Sequence, residues 1–248
     1  MHVDYPRWLI SMQGLLKHLK FHENTSSVLT LNTTLSFLAG FVDALGYIAL
    51  FGLFTAHISG NLVLLGAELA EPGHHFPILK LLVFPAFMVG VAIAKVIAYK
   101  CKKSARNALL SLYLVEMVLL TAFMFAGILA GPLDEDAITD MVMLTGILAA
   151  IAMGVHSGCG RILLTDLTPT GMMTGNVTQL VIEFVELVLE GADSKARRDV
   201  VRYLWPIIAF GLGALLAAFV YARDGFQAMV VPIAMILVLA CVEKWTKA

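Results

Sequence analysis

Apolar positions fall into long runs, not into the short alternations of a soluble strand or the one-sided stripes of a soluble helix. A helix crossing a bilayer needs about 20 apolar residues at about 1.5 Å rise each. Six runs qualify: Leu29–Leu53, Ile78–Tyr99, Leu109–Ala130, Ile138–Leu163, Leu204–Tyr221 and Ala228–Val242. Two further runs are short. One follows Gly60-Asn61 and stops before Glu71-Pro72; the other follows Gly175-Asn176 and is interrupted by Glu183, Glu186 and Glu190. Each reads as a half-helix or as a full span, and hydropathy alone does not choose.

The basic residues do choose, because cytoplasmic loops beside membrane spans carry an excess of Lys and Arg. With the N-terminus inside, six spans and two re-entrant segments, 15 of the 17 basic residues lie inside, and only Lys80 and Arg223 lie outside. If both short segments cross, the cluster from Lys95 to Arg106 moves out with Arg161 and Arg223, leaving 10 inside and 7 outside. The first arrangement is expected, with the N- and C-termini cytoplasmic and the acidic run Asp134-Glu135-Asp136 outside. Before the first span, Trp8, Leu9, Met12, Leu15, Leu16 and Leu19 recur at helical spacing beside Arg7, Lys17 and Lys20. Residues 1–27 therefore read as an amphipathic helix on the inner leaflet, and they lack the apolar core and small-residue cleavage site of a secretory signal.

Composition agrees. The chain is 59% apolar and 14% charged, whereas soluble domains run near 45–50% and about 25%. A formal charge of −1 leaves no basic surface for nucleic acid. Cys101, Cys159 and Cys241 sit far apart in apolar surroundings and are odd in number, and no His, Cys or carboxylate cluster has metal-ligand spacing, so neither a disulfide framework nor a metal site is expected; His74-His75 reads as a solvated outer loop.

The chain also resembles itself. Thr55-Ala-His57-Ile-Ser59-Gly60-Asn61 matches Thr170-Gly-Met-Met-Thr174-Gly175-Asn176 at an offset of 115, which also carries Glu68 onto Glu183 and Glu71 onto Glu186. Upstream, Gly40-Phe-Val-Asp43-Ala-Leu-Gly46 aligns with Gly154-Val-His156-Ser157-Gly158-Cys-Gly160 at 114. Downstream, Pro85 and Gly90 align with Pro206 and Gly211 at 121. An odd number of spans per copy turns the second copy upside down. The expected fold is therefore an all-α membrane protein of six spanning helices and two short broken helices, built as two inverted-topology repeats, 28–131 and 138–245. Short, Gly-interrupted segments at matching places in both halves are the best sequence pointer to a transporter's binding site.

The residues Ala39-Gly-Phe-Val-Asp43-Ala-Leu-Gly46, with Phe54–Leu65, resemble the YoaK-like family of bacterial inner-membrane proteins, whose shared domain has no established function. The resemblance runs from about Thr30 to Val242. It implies a multi-pass protein of the inner (cytoplasmic) membrane with a duplicated plan. The second-half counterpart departs from the family's Gly-x-Gln-Asn-Ala, reading Gly154-Val-His156-Ser157-Gly158. No substrate, cofactor or catalytic residue is implied.

Chemistry must therefore come from the polar residues. Ser, Thr and Asn accept the orphan N–H groups of a helix start, and a broken helix survives in hydrocarbon only where it is buried in protein or faces water. Its N-terminus carries about half a positive charge and attracts anions; tight helix packing is the alternative reason for Gly60 and Gly175. Thr55, His57, Ser59, Gly60, Asn61, Thr170, Thr174, Gly175 and Asn176 are the candidate solute-binding residues. Charged groups at the bilayer centre cost about 2.5–3.5 kcal/mol on insertion scales, so Asp43 and Glu116 should face the bundle, be protonated or be paired; with His156 and Glu183 they are the candidates for proton or ion coupling, the alternative for the two acids being a structural bond to a neighbouring helix backbone. Gln179, Glu183, Glu186 and Glu190 share one helical face, lining an inward vestibule or lying on the inner leaflet. Three acids at one mouth count against anions entering there, while Arg161 offsets them or snorkels.

The expectation is a small-solute secondary transporter, the solute a small anion or carboxylate, proton-coupled, with its site between the repeats. The alternatives are a non-transporting scaffold or sensor and, less favoured, a membrane-embedded enzyme. No Gly-x-Ser-x-Gly or His-Glu-x-x-His motif is present, and His57 and Ser59, two residues apart on a helix, do not face each other. No catalytic residue and no cofactor is expected. The partners are the lipid bilayer and a small solute, with homo-oligomerisation left open.

Overall fold

The computed structural model describes residues 7–70, 78–131, 133, 138–190 and 194–246, with side chains from residue 27 onward except 190 and 194–196. His74-His75, Asp134-Glu135-Asp136 and the side chain of Glu190 fall outside those residues. Among the described residues there is no strand. The helices are α1 (Arg7–Ala49), α2 (Ile58–Leu69), α3 (Ile78–Lys103), α4 (Ala108–Ala130), α5 (Asp140–Leu163), α6 (Met173–Glu190), α7 (Ser194–Asp224) and α8 (Val230–Thr246), with a 3-10 turn, Gly225–Met229, between the last two.

Among the described residues, five stretches are long and apolar enough to cross a membrane: Ser27–Ala49, Ile78–Lys103, Ala108–Ala130, Asp140–Leu163 and Arg197–Thr246. The last is 50 residues long and contains α7, the turn and α8, where the sequence suggests two separate spans. The segments after Gly60 and Gly175 form α2 and α6, neither of which is among the five. Rows of large apolar side chains are exposed, including Met88, Val96, Leu129, Leu215, Phe219 and Val238. Exposed apolar surface on that scale is what lipid contact requires.

Two boundaries differ from the sequence reading. The first span ends at Ala49 and not at Leu53, because Phe51 (φ 53°) and Gly52 (φ 76°) adopt left-handed conformations that no α-helix continues through. The backbone from Arg7 to Ala49 is one unbroken helix, so residues 7–27 of the expected interfacial segment run on into the first span. Other ends follow local rules. The Asn107 side chain accepts from Leu110 N at 3.1 Å, and Thr139 Oγ1 from Val142 N at 3.3 Å, capping α4 and α5; Lys100, Lys102 and Lys103 occupy the negative end of α3.

The bundle is held by two close helix pairs, α1 with α7 and α3 with α5. A Cβ on Gly40 would sit 2.1 Å from Phe210 O, and one on Gly213 would sit 2.1 Å from Phe37 O. In the other pair the corresponding distances are 2.3 Å from Gly154 to Phe87 O and 2.2 Å from Gly90 to Ile151 O. Only glycine permits such backbone approach, and in lipid it is packing, not water exclusion, that joins helices. These contacts match one another at offsets of 114 for α1 and α5 and 123 for α3 and α7. The geometric counterpart of Gly90 is therefore Gly213, correcting the alignment to Gly211, which has nothing within 4 Å of its Cβ position. Gly60 and Gly175 take no part in helix packing. A Cβ on the first would meet the Phe54 ring of its own break, and the second is open.

Candidate functional site

The first break, between α1 and α2, is organised by one carboxylate. Asp43 is 3% exposed. Its Oδ1 accepts from the backbone N–H of Thr55 (2.7 Å), Ala56 (2.6 Å) and His57 (3.4 Å) and from Thr55 Oγ1 (3.3 Å). Its Oδ2 lies 2.6 Å from His57 Nδ1. Successive N–H groups around one anion form a nest, and these three donors of the break are satisfied by the protein itself. Asn61, fully buried, latches the same loop: its side chain accepts from Phe54 N at 2.8 Å and donates to Phe54 O at 2.7 Å. Lys80 donates to Phe51 O at 2.9 Å and pairs with Glu68, tying the left-handed turn to α3. His57 stands edge-on to the Phe210 ring. With Asp43, Tyr47, Phe54 and Gly60 it borders an open cavity of about 460 Å³.

The second break, between α5 and α6, uses the same plan with different groups. Asn176 donates to Pro169 O at 2.7 Å; proline has no N–H, so the latch is single where Asn61 makes it double. Arg202 donates to Asp166 O at 2.7 Å, the carbonyl matching that of Phe51. Asn32 of α1 also holds the loop. Turned so that both ends are satisfied, its amide donates to Thr168 O at 3.2 Å and accepts from Thr168 N at 3.3 Å. At the place of Asp43 stands Ser157. The buried titratable groups are its neighbour His156 and Glu116 of α4, 3% and 1% exposed. His156 Nδ1 lies 2.8 Å from Glu116 Oε1, and Nε2 lies 2.9 Å from Thr170 Oγ1. This chain of three borders a smaller cavity of about 160 Å³.

Three of the four coupling candidates thus fall into two carboxylate–imidazole pairs, Asp43 with His57, a solute-binding candidate, and Glu116 with His156. Each pair also holds the threonine of a break, Thr55 or Thr170. Glu183 belongs to neither: it accepts from Gln179 at 2.8 Å on α6. Ser59, Thr174 and Gly175 lie exposed, while Asn61 and Asn176 are committed to their latches and line neither cavity. The helices α2 and α6 do not touch. The loops of the two breaks meet where Ala56 Cβ is 3.6 Å from the Cβ position of Gly171. These two residues match at the offset of 115. Sequence reasoning missed Lys80, Asn32, Arg202 and Tyr113; a lone lysine opening an apolar run was the one visible signal. Among the described residues no group of His, Cys, Asp and Glu has the arrangement of a metal site.

A family model described as a protein of unknown function (DUF1275) matches residues 12–242. The UPF0700 transmembrane protein YoaK of Bacillus subtilis (strain 168) is 26% identical over 211 residues, covering 84% of this chain and 90% of its own length. No solved structure matches the chain.

Proposed function

We propose a function for this multi-pass membrane protein from its geometry, on the premise that the chain belongs to the DUF1275 family, whose description assigns no activity: it is a proton-coupled transporter of a small solute, and not an enzyme. The observation that carries the reading is the pair of carboxylate–imidazole contacts, Asp43 with the half-buried His57 and Glu116 with the buried His156, each tied to a helix break and each beside a cavity. Ionisable groups inside a membrane are costly and mark ion or proton paths. A carboxylate hydrogen-bonded to an imidazole has the chemistry of a proton relay.

In this reading the chain crosses six times, with both termini on the cytoplasmic side of the cytoplasmic membrane, and its halves are inverted repeats. Arg197–Thr246 spans about 75 Å at helical rise, enough for two crossings of about 30 Å, with the turn at Gly225 (φ 58°) between them. The matched glycine contacts, asparagine latches and cation-to-carbonyl bonds (Lys80 to Phe51, Arg202 to Asp166) support the duplication. Alternating access then consists of one repeat rocking against the other about the Ala56–Gly171 contact. The anion expected at the first break is supplied by Asp43 itself, which leaves the solute to the second.

Proteoliposomes carrying a trapped pH dye test this. Imposing gradients of small acids, amides and inorganic ions one at a time should produce a dye response with at least one solute, above that of empty liposomes, and Glu116→Gln should abolish it. A silent dye across the panel overturns the reading. The burial of Asn61 and Asn176 favours a second one, a non-transporting scaffold or sensor, which predicts that silence.

A further inference from the structure

The first break shows what its fold binds: a carboxylate, provided from within by Asp43. The second break repeats the loop without that carboxylate. Ser157 occupies the matching position, and its Oγ lies 3.8 Å from the Cβ position of Gly171, so it faces the loop as Asp43 faces its own. The N–H groups of Thr170, Gly171 and Met172, counterparts of the three that Asp43 holds, donate to no protein group among the described residues. All three residues line the 160 Å³ cavity.

A second observation is independent of the loop. The hydroxyl of Tyr113, 2% exposed, has no hydrogen-bond partner among the described residues, and Tyr113 lines the same cavity. A buried hydroxyl left unpaired costs about 1–3 kcal/mol, and such a group calls for an explanation such as an absent ligand. Arg161 also lines the cavity. Among the described residues it is the one lysine or arginine in that lining, beside the Glu116 carboxylate and the His156 imidazole.

We propose that the cavity beside the second break is a binding site for a small monocarboxylate, whose carboxylate takes the place at Thr170–Met172 that the Asp43 carboxylate takes at Thr55–His57. Arg161 and the Tyr113 hydroxyl are its further donors, and Ser157 in place of aspartate is what keeps the site vacant for a solute. A cavity near 150 Å³ accepts a molecule of about six non-hydrogen atoms, which sets the size class. The inference names the substrate class of the transport reading and rests on that reading for its role, though not for the binding itself.

The test is saturation-transfer NMR on the purified full chain in detergent, with propionate as probe and propionamide as its neutral counterpart. Propionate should receive saturation and propionamide should not. Ser157→Asp, which supplies an internal carboxylate, should remove the propionate signal while raising the melting temperature. Arg161→Gln should weaken binding at least tenfold, and Tyr113→Phe about threefold or more. Equal signals from the two probes overturn the proposal. So does wild-type binding in both Ser157→Asp and Arg161→Gln, or displacement of propionate by chloride at equal concentration. Because binding is read without a gradient, propionate binding with a silent dye in liposomes sinks the transport reading and leaves this site standing.

Discussion

Replacing Asp43 by Asn keeps an acceptor oxygen at the first break and removes its charge. Two of the backbone bonds are short, 2.7 Å to Thr55 N and 2.6 Å to Ala56 N. A hydrogen bond to a charged group contributes about 1.5–3 kcal/mol and a neutral one about 0.5–1.5, so each short bond loses about 1–1.5 kcal/mol and the pair about 2–3 kcal/mol. The longer contact to His57 N and the bond to His57 Nδ1 add to this without changing its order. If the loss is local, opening of the 54–57 loop becomes about 30- to 150-fold more frequent at about 1.4 kcal/mol per tenfold. Hydrogen exchange of the Thr55, Ala56 and His57 amides reads that directly; they should exchange faster by that factor in Asp43→Asn, while amides of the α3–α5 pair stay unchanged. Unchanged exchange at Thr55 and Ala56 would refute the claim that Asp43 holds the break.

Three further outcomes follow from the same contacts. Asn61→Ala strands both Phe54 backbone groups and should lower stability by about 2–6 kcal/mol, whereas Asn176→Ala strands one carbonyl and should cost about half as much, at about 1–3 kcal/mol per group; comparing the two melting curves checks the ratio. Gly154→Ala forces a Cβ to 2.3 Å from Phe87 O and should separate α3 from α5 with a marked fall in melting temperature, while Gly175→Ala, with open space around it, should be neutral or gain up to about 1 kcal/mol from helix propensity. In proteoliposomes that show a solute-driven pH response, Glu116→Gln should abolish it, and a retained response would remove Glu116–His156 from the proton path.

Much of the plan was legible in the chain, and what was not has identifiable causes. The apolar runs and the Gly-Asn pairs located the helices and breaks because hydrophobic length and helix-start chemistry are local. The end of α1 was not legible, since the left-handed turn at Phe51 is secured by Lys80, 29 residues further on. Asp43 and Glu116 stood out as charges within apolar runs, but their partners did not: His156 meets Glu116 across 40 residues and two helices. Tyr113 sits in a run that reads as plain lipid contact, and only the fold shows its hydroxyl turned inward without a partner. The glycine alignment slipped by two residues because proline and glycine recur at similar spacing in α3 and α7, and only the contact with the partner helix identifies Gly213.

The most direct test of the account is the sidedness of two turns that the proposed duplication makes equivalent, the one after α3 and the one between α7 and α8. Single cysteines placed at Ser104 and at Arg223, in a chain with its three native cysteines replaced, can be probed in intact cells with an impermeant maleimide. The account predicts labelling at Arg223 from outside and protection at Ser104 until the membrane is opened. Labelling of both positions from the same side would contradict it.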